Sequence, residues 1–273
     1  MIDSGETSRV GHGVNLVGIP TGLLASAAFN DYPLPLSIGG VHELNGALFE
    51  MLRLSETPEE AGSAFQNYMR AVFGVNGEVQ LPAVGNGARR FRASYLRLLK
   101  GWGFDANGPE GAVLKGWVES RFGLLPTFHK GMLGRYPSPA WMTYVEEKMG
   151  SRFHNNSINL QLDLLYEFCQ WALARFFFTG RHHVTLYRGC NDFDEHPVVE
   201  KLGKREAIIR LNNLVSFTSE RDVAETFGDR ILEASVPLVK ILFFNRLLSD
   251  HPLKGEAEYL VVGGDYRVKV SYW

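Results

Sequence analysis

Cysteine is nearly absent. The 273-residue chain has two, Cys169 and Cys190. One lies inside an apolar run and the other beside an arginine, so no paired framework is suggested. No Cys/His spacing matches a zinc site. The adjacent pair His182-His183 would point to opposite faces of a strand and reads as ordinary strand residues. An excess of positive charge is also missing. The 28 Lys and Arg against 30 Asp and Glu leave a formal net charge of −2, which argues against a general nucleic-acid binder. The most apolar long stretch, Leu160 to Phe178, is interrupted by Asp163, Glu167 and Arg175. It reads as a buried helix and not a membrane span. Met1-Ile2-Asp3-Ser4-Gly5-Glu6 is polar and acidic, unlike a secretory signal, so a reducing cytoplasm is the expected location. No internal repeat or low-complexity stretch is visible.

What the chain does have is enough apolar residue, 45%, for one large domain or two small ones. Residues 1–40 are broken by Pro20, Pro33 and Pro35, yet Val14, Leu16, Val17, Ile19, Leu23, Leu24 and Phe29 make the segment too apolar for a solvated tail. It is expected to pack along the domain or to form a partner surface. Residues 41–123 read as helical. Val41, Leu44, Leu48 and Leu52 recur at three or four. Thr57-Pro58-Glu59-Glu60 is a helix start, with Thr as N-cap and Pro at the first position, and that helix should run to Phe73 and stop at Gly74. A helix from Gly87 to Lys100 carries Arg89, Arg90, Arg92, Arg97 and Lys100, either a solvated face or a docking face for an acidic partner. Another is expected between Pro109 and Phe122. Residues 124–154, with Pro126, Pro137 and Pro139, form the best linker candidate and include a short helix from Ala140 to Met149. The longest helix spans 156–179 and is apolar nearly all round.

From Val184 the period changes from helical to alternating. Strands are expected at Val184 to Tyr187, Ala207 to Leu211, Leu214 to Phe217, Ile231 to Val236, Ile241 to Phe244, Tyr259 to Val262 and Tyr266 to Tyr272. Gly263-Gly264-Asp265 reads as a hairpin turn between the last two. The fold class is therefore α+β. A mostly helical region is expected over 1–150 and a β-rich unit over 151–273.

Three short stretches in that unit carry chemistry: Tyr187-Arg188-Gly189, Ser216-Phe217-Thr218-Ser219 and Glu256-Ala257-Glu258. Arg188 closes a β-branched and aromatic run, and Gly189 removes a side chain where a flat ligand could meet the backbone. On a strand, Glu256 and Glu258 would share a face, as two acids acting on one substrate require. Each alone has a bland reading: an arginine in solvent, a Ser/Thr turn with Ser219 as helix N-cap, a solvated strand face. Their order, with Ala224-Glu225-Thr226-Phe227-Gly228 between the second and third, is a composite signal.

That composite resembles the Arg-Ser-Glu class of mono-ADP-ribosyltransferases. This chain departs from the usual Ser-Thr-Ser, so either Ser216 or Ser219 fits the motif serine, with Ser219 preferred. The N-terminal stretches Gly11-His12-Gly13-Val14-Asn15-Leu16-Val17-Gly18 and Leu34-Pro35-Leu36-Ser37-Ile38-Gly39-Gly40-Val41-His42-Glu43 extend the likeness over the whole chain, where it is similar to the dinitrogenase reductase ADP-ribosyltransferase family. The resemblance implies an ADP-ribosyltransferase-like sheet in a catalytic unit over 151–273, NAD as co-substrate, an arginine of the nitrogenase iron protein as acceptor, and a PII-type nitrogen-signalling protein as regulator, for which the helical region 1–150 is the candidate docking surface. It implies that Arg188 pairs with the NAD phosphate, as a guanidinium fork does. Gly189 lets its backbone approach the nicotinamide amide, Tyr187 belongs to the NAD-binding set, Ser216 or Ser219 holds a ribose hydroxyl or a glutamate, and Phe217 stacks on the nicotinamide or packs. Glu258 holds the ribose 2′-hydroxyl and stands by the developing positive charge, and Glu256 orients the acceptor guanidinium. The competing readings are an NAD glycohydrolase with water as acceptor, disfavoured by Glu256, and an inactive NAD-binding module, disfavoured by intact Arg188, Glu256 and Glu258.

Overall fold

A computed structural model describes residues 11, 13–75, 94–150, 156–191, 196–248 and 257–272. Glu256 and, of the basic helix, Arg89, Arg90 and Arg92 lie outside the described residues. In chain order the helices are α1 (Thr21–Leu24), α2 (Ala27–Asp31), α3 (Val41–Leu44), α4 (Gly46–Arg53), α5 (Pro58–Phe73), α6 (Tyr95–Phe104), α7 (Pro109–Phe122), α8 (Pro139–Met149) and α9 (Asn156–Ala172). The strands follow as β1 (His183–Cys190), β2 (Val198–Lys201), β3 (Glu206–Thr218), β4 (Arg230–Pro237), β5 (Ile241–Phe244) and β6 (Glu258–Tyr272), with the short α10 (Arg221–Glu225) after β3. Helices first and strands afterwards make the chain α+β, as its periodicity requires.

Local chemistry explains the helix ends. Thr57 Oγ1 accepts from Glu60 N–H at 3.2 Å, and the Glu60 carboxylate reaches back to Glu56 N–H at 2.9 Å. Pro58 fills the first position, and Gly74 ends α5 in the left-handed conformation at φ 63°. Ser94 and Ser138 cap α6 and α8 in the same manner. The run expected from Val41 to Leu52 is two helices, because the chain leaves helical geometry at Asn45. Leu44 is accordingly exposed while Leu48 and Leu52 are buried.

Helix α9 is the centre of the helical layer. Ile158, Leu162, Leu164, Leu165, Tyr166, Phe168 and Cys169 are all buried, and Phe168 stacks on Phe65 of α5 with ring centroids 4.3 Å apart. It gives way after Ala172 to a π-turn, Leu173–Phe177, so the regular helix is shorter than its apolar pattern. Its buried acids have defined work. Asp163 accepts from Arg121 at 2.7 and 2.8 Å and from the Trp117 indole at 2.7 Å. Glu167 accepts from Ile38 N–H, the Ser37 hydroxyl and His42. The proline-broken N-terminal segment is thus anchored to α9 through Glu167. It packs along the domain, burying Val17, Leu24, Ala25, Phe29, Leu36 and Ile38.

The strands form one antiparallel sheet in the order β2-β3-β1-β4-β6-β5. Strand β3 also pairs along β6, so β3, β1, β4 and β6 close on one another. One sequence expectation is corrected here. Gly263-Gly264-Asp265 is not a hairpin turn, because β6 runs through it from Glu258 to Tyr272. The two glycines answer close approaches instead. Between Leu211 and Leu214 the register of β3 slips, placing Asn212 and Asn213 opposite Gly263. A Cβ on Gly263 would lie 1.7 Å from the Asn212 carbonyl oxygen. Gly264 has φ 115°, and a Cβ there would meet Ala25 O at 2.7 Å. The two halves of β3, expected as separate strands, are one for the same reason. The bulge also turns its amides outward: Asn212 binds Thr127 N–H and Phe128 O, and Asn213 binds Lys115 O and Leu124 O. The proline-rich start of 124–154 is thereby hydrogen-bonded to the sheet, and one hydrophobic cluster runs from Val17 to Val268.

Candidate active site

The closing register of the sheet assembles the site. Tyr187 of β1 pairs with Thr218 of β3, and Thr218 pairs with Glu258 at the start of β6. Residues on one strand face recur every two, so Ser216 lies on the same face as Thr218, diagonal to Glu258. The Ser216 hydroxyl donates to Glu258 Oε1. Trp102 of α6 points its indole N–H at the same pair, 2.8 Å from Ser216 Oγ and 3.2 Å from Glu258 Oε1. Glu258 is 5% exposed and Trp102 4%. A carboxylate so far from water is costly unless such donors compensate it.

Arg188 follows Tyr187 and donates to acceptors on Ser216 and His196. Its Nη1 donates to Ser216 O at 2.9 Å and its Nε to His196 Nε2 at 3.1 Å. His196, 2% exposed, therefore presents an unprotonated Nε2 to the guanidinium. The backbone and the side chain of Ser216 thus serve different partners, Arg188 and Glu258. A guanidinium and a carboxylate are brought to one patch of sheet, a charge pair suited to a substrate with phosphates and a developing cation.

The other expected residues fall in distinct places. Ser219 is exposed, and its backbone N–H donates to Ala257 O at 3.3 Å. It does not cap α10, whose N-cap residue is Glu220, with no side-chain cap bond. Ser216, and not Ser219, meets Glu258. Phe217 faces the core at 2% exposure, with Tyr266 at 6.3 Å between ring centroids. Gly189 has an intramolecular reason for lacking a side chain: a Cβ would lie 2.0 Å from Ala224 O of α10. Gly228 repeats the contact, with a Cβ 2.3 Å from the Cys190 carbonyl carbon. The Ala224 to Gly228 stretch is therefore docked on β1 through two glycines. Ala257 adopts φ 46°, uncommon for a residue with a side chain. Strand β6 begins at Glu258, and Glu256 lies outside the described residues.

Sequence reasoning missed Trp102 and His196. Trp102 lies 156 residues before Glu258, in a helix with no motif of its own, and only tertiary packing joins them. His196 follows Arg188 by eight residues, in a stretch with no ligand-like spacing. Among the described residues no group of His, Cys, Asp and Glu could hold a metal ion, and no helix is long and apolar enough to cross a membrane. Cys169 and Cys190 are both free thiols.

Comparison with known proteins extends the agreement beyond these residues. No solved structure matches the chain. The NAD(+)--dinitrogen-reductase ADP-D-ribosyltransferase of Rhodospirillum rubrum is 60% identical over 275 residues, covering 100% of both chains. The family model for dinitrogenase reductase ADP-ribosyltransferase matches residues 14–270, from the N-terminal segment through Arg188, Ser216 and Glu258 into β6. The chain belongs to the dinitrogenase reductase ADP-ribosyltransferase family.

Proposed function

We propose that this protein transfers ADP-ribose from NAD to an arginine of dinitrogenase reductase, the nitrogenase iron protein, and so switches off nitrogen fixation. The observation that carries the reading is the 60% identity to the Rhodospirillum rubrum enzyme over the full length of both chains. The geometry supports the roles. In the reaction the nicotinamide–ribose bond breaks, nicotinamide leaves with the bonding pair, and positive charge develops at the ribose carbon. Glu258, buried and held at Oε1 by Ser216 and Trp102, is a fixed negative charge for that centre. Arg188, braced by Ser216 O and His196, is the phosphate partner. Glu256 is the residue we assign to the acceptor. A carboxylate orients a guanidinium by paired hydrogen bonds and takes its proton as or after the new N-glycosidic bond forms, since free arginine stays protonated.

Residues 151–273 supply Arg188, Ser216 and Glu258 in this scheme. Residues 1–150 add Trp102 and, we propose, the docking surface for a PII-type regulator, with Lys100 and Arg97 on α6 as part of it. A cytoplasmic location fits a chain with two free thiols. The test is incubation with labelled NAD and purified dinitrogenase reductase, with the modified residue identified by mass spectrometry. Label on an arginine is expected. Nicotinamide release at the same rate with no acceptor, and no labelled protein, would favour the NAD glycohydrolase.

A further inference from the structure

We infer that Trp102 is a positioning residue for Glu258, setting the place and charge state of the catalytic acid from outside the strand motifs. The inference rests on reading Glu258 as that acid. A buried tryptophan is ordinarily core filling whose N–H finds any acceptor at hand, as Trp117 does at Asp163. Trp102 differs in where its hydrogen bonds go. An indole N–H can only donate. Because Trp102 donates to Ser216 Oγ, that oxygen spends a lone pair on the indole and sends its single proton onward to Glu258 Oε1. The same N–H reaches Oε1 directly at 3.2 Å. One carboxylate oxygen thus receives two donors, and one of those donors is itself oriented by the other. Hydrogen bonds to the charged form of a carboxylate hold it ionised, as stabilising an oxocarbenium-like centre requires.

The indole has little freedom to do otherwise. Helix α6 buries Leu98 and Leu99 completely, and Tyr95 N–H donates to Gln161 of α9 at 3.0 Å. On the adjoining face, Gly101 lets Glu110 of α7 approach so closely that a Cβ there would lie 2.4 Å from Glu110 Cγ. Helix α6 is therefore fixed against α7 and α9, and Trp102 carries that placement to the start of β6.

The test compares Trp102→Phe with wild type and Glu258→Gln by nicotinamide release from NAD in the presence of purified dinitrogenase reductase as acceptor. Phe keeps the ring and removes the N–H. Losing a hydrogen bond to a charged group corresponds to a fall of about ten- to hundredfold in rate. The fall is expected in kcat, with KM for NAD within about twofold of wild type, because the indole serves Glu258 and not the ground-state grip on NAD. An unchanged kcat, or a KM that rises as much as kcat falls, would overturn the inference. A second measurement does not depend on activity or on Trp102→Phe folding. The chain has five tryptophans, so nitrogen-15 indole labelling gives a short spectrum. Ser216→Ala and Glu258→Gln should each displace one and the same indole N–H signal. If no signal moved in either folded variant, Trp102 would not be bonded to this pair. A wild type that released no nicotinamide while the indole signal moved as expected would fault the assigned reaction and not the contact.

Discussion

Ser216 carries more of the candidate site than any other residue of its size. Its carbonyl holds Arg188 and its hydroxyl holds Glu258, so one change can separate the two. Ser216→Ala leaves the carbonyl in place. NAD affinity should stay near wild type by calorimetry, while nicotinamide release falls about tenfold or more, as expected for removing a donor to a charged group. Ser219→Ala should be nearly silent, because its side chain is exposed and only its backbone N–H is used, at Ala257 O. A damaging Ser219→Ala beside a mild Ser216→Ala would make Ser219 the motif serine. Arg188 is the complementary case. Arg188→Lys keeps a charge but cannot reach Ser216 O and His196 through one rigid fork, so it should recover only part of the NAD affinity lost in Arg188→Ala. Equal affinity in the two variants would show that charge alone suffices.

At the scale of elements, the stretch from Ala224 to Gly228 shows how a sequence cue can be sound while its reason is different. Gly189 is marked by its position after a strand, and a ligand is the natural explanation. The structure instead puts the Ala224 carbonyl 2.0 Å from where a Cβ would stand, and backbone cannot swing away as a side chain does. Gly189→Ala should therefore destabilise the protein by about 1–3 kcal/mol, the usual cost of overpacking, and Gly228→Ala should do the same across the same seam. Urea unfolding of both variants checks this. A Gly189→Ala protein of wild-type stability that bound NAD poorly would restore the ligand explanation. Other elements were legible because their signals are local. Thr57 with Pro58, and Pro109 with Gly123, punctuate α5 and α7 through bonds within a turn or two. The path of β6 was not legible, since Gly263-Gly264-Asp265 has turn composition and the contacts that overrule it come from Asn212 and Ala25, far away in sequence. The charged motif was legible in part: Arg188 and Glu258 sit at strand positions with recognisable neighbours, whereas the serine was left between Ser216 and Ser219 with Ser219 preferred, and Trp102 enters through helix packing alone.

For the whole molecule, the N-terminal segment and the sheet meet around a buried lysine. Lys240, just before β5, is fully buried and donates to Gly263 O at 3.0 Å. Its ammonium also lies 5.4 Å from the Phe29 ring centroid on α2 and 5.2 Å from that of Tyr266 on β6. Burial pushes its pKa down from 10.5 to about 7, and the charge of Asp265 offsets only part of that. Between about pH 7 and the ordinary lysine value, the unfolded chain holds a proton on Lys240 that the folded chain has released. Stability therefore rises with pH through that window, by up to about 1.4 kcal/mol per pH unit from this group alone. Below about pH 7 both states are protonated and the cost of the buried charge is present in full. Lys240→Met keeps the length of the apolar stem and removes the charge. Urea unfolding at intervals from pH 6.5 to pH 9.5 should show stability climbing in the wild type relative to Lys240→Met, with the difference gained progressively above pH 7. The comparison between the two proteins cancels the other titrating groups, since they are common to both. Parallel stability curves across the window would mean that Lys240 keeps an ordinary affinity for its proton. In that case Gly263 O and the two aromatic faces would hold its charge inside the protein as well as water does.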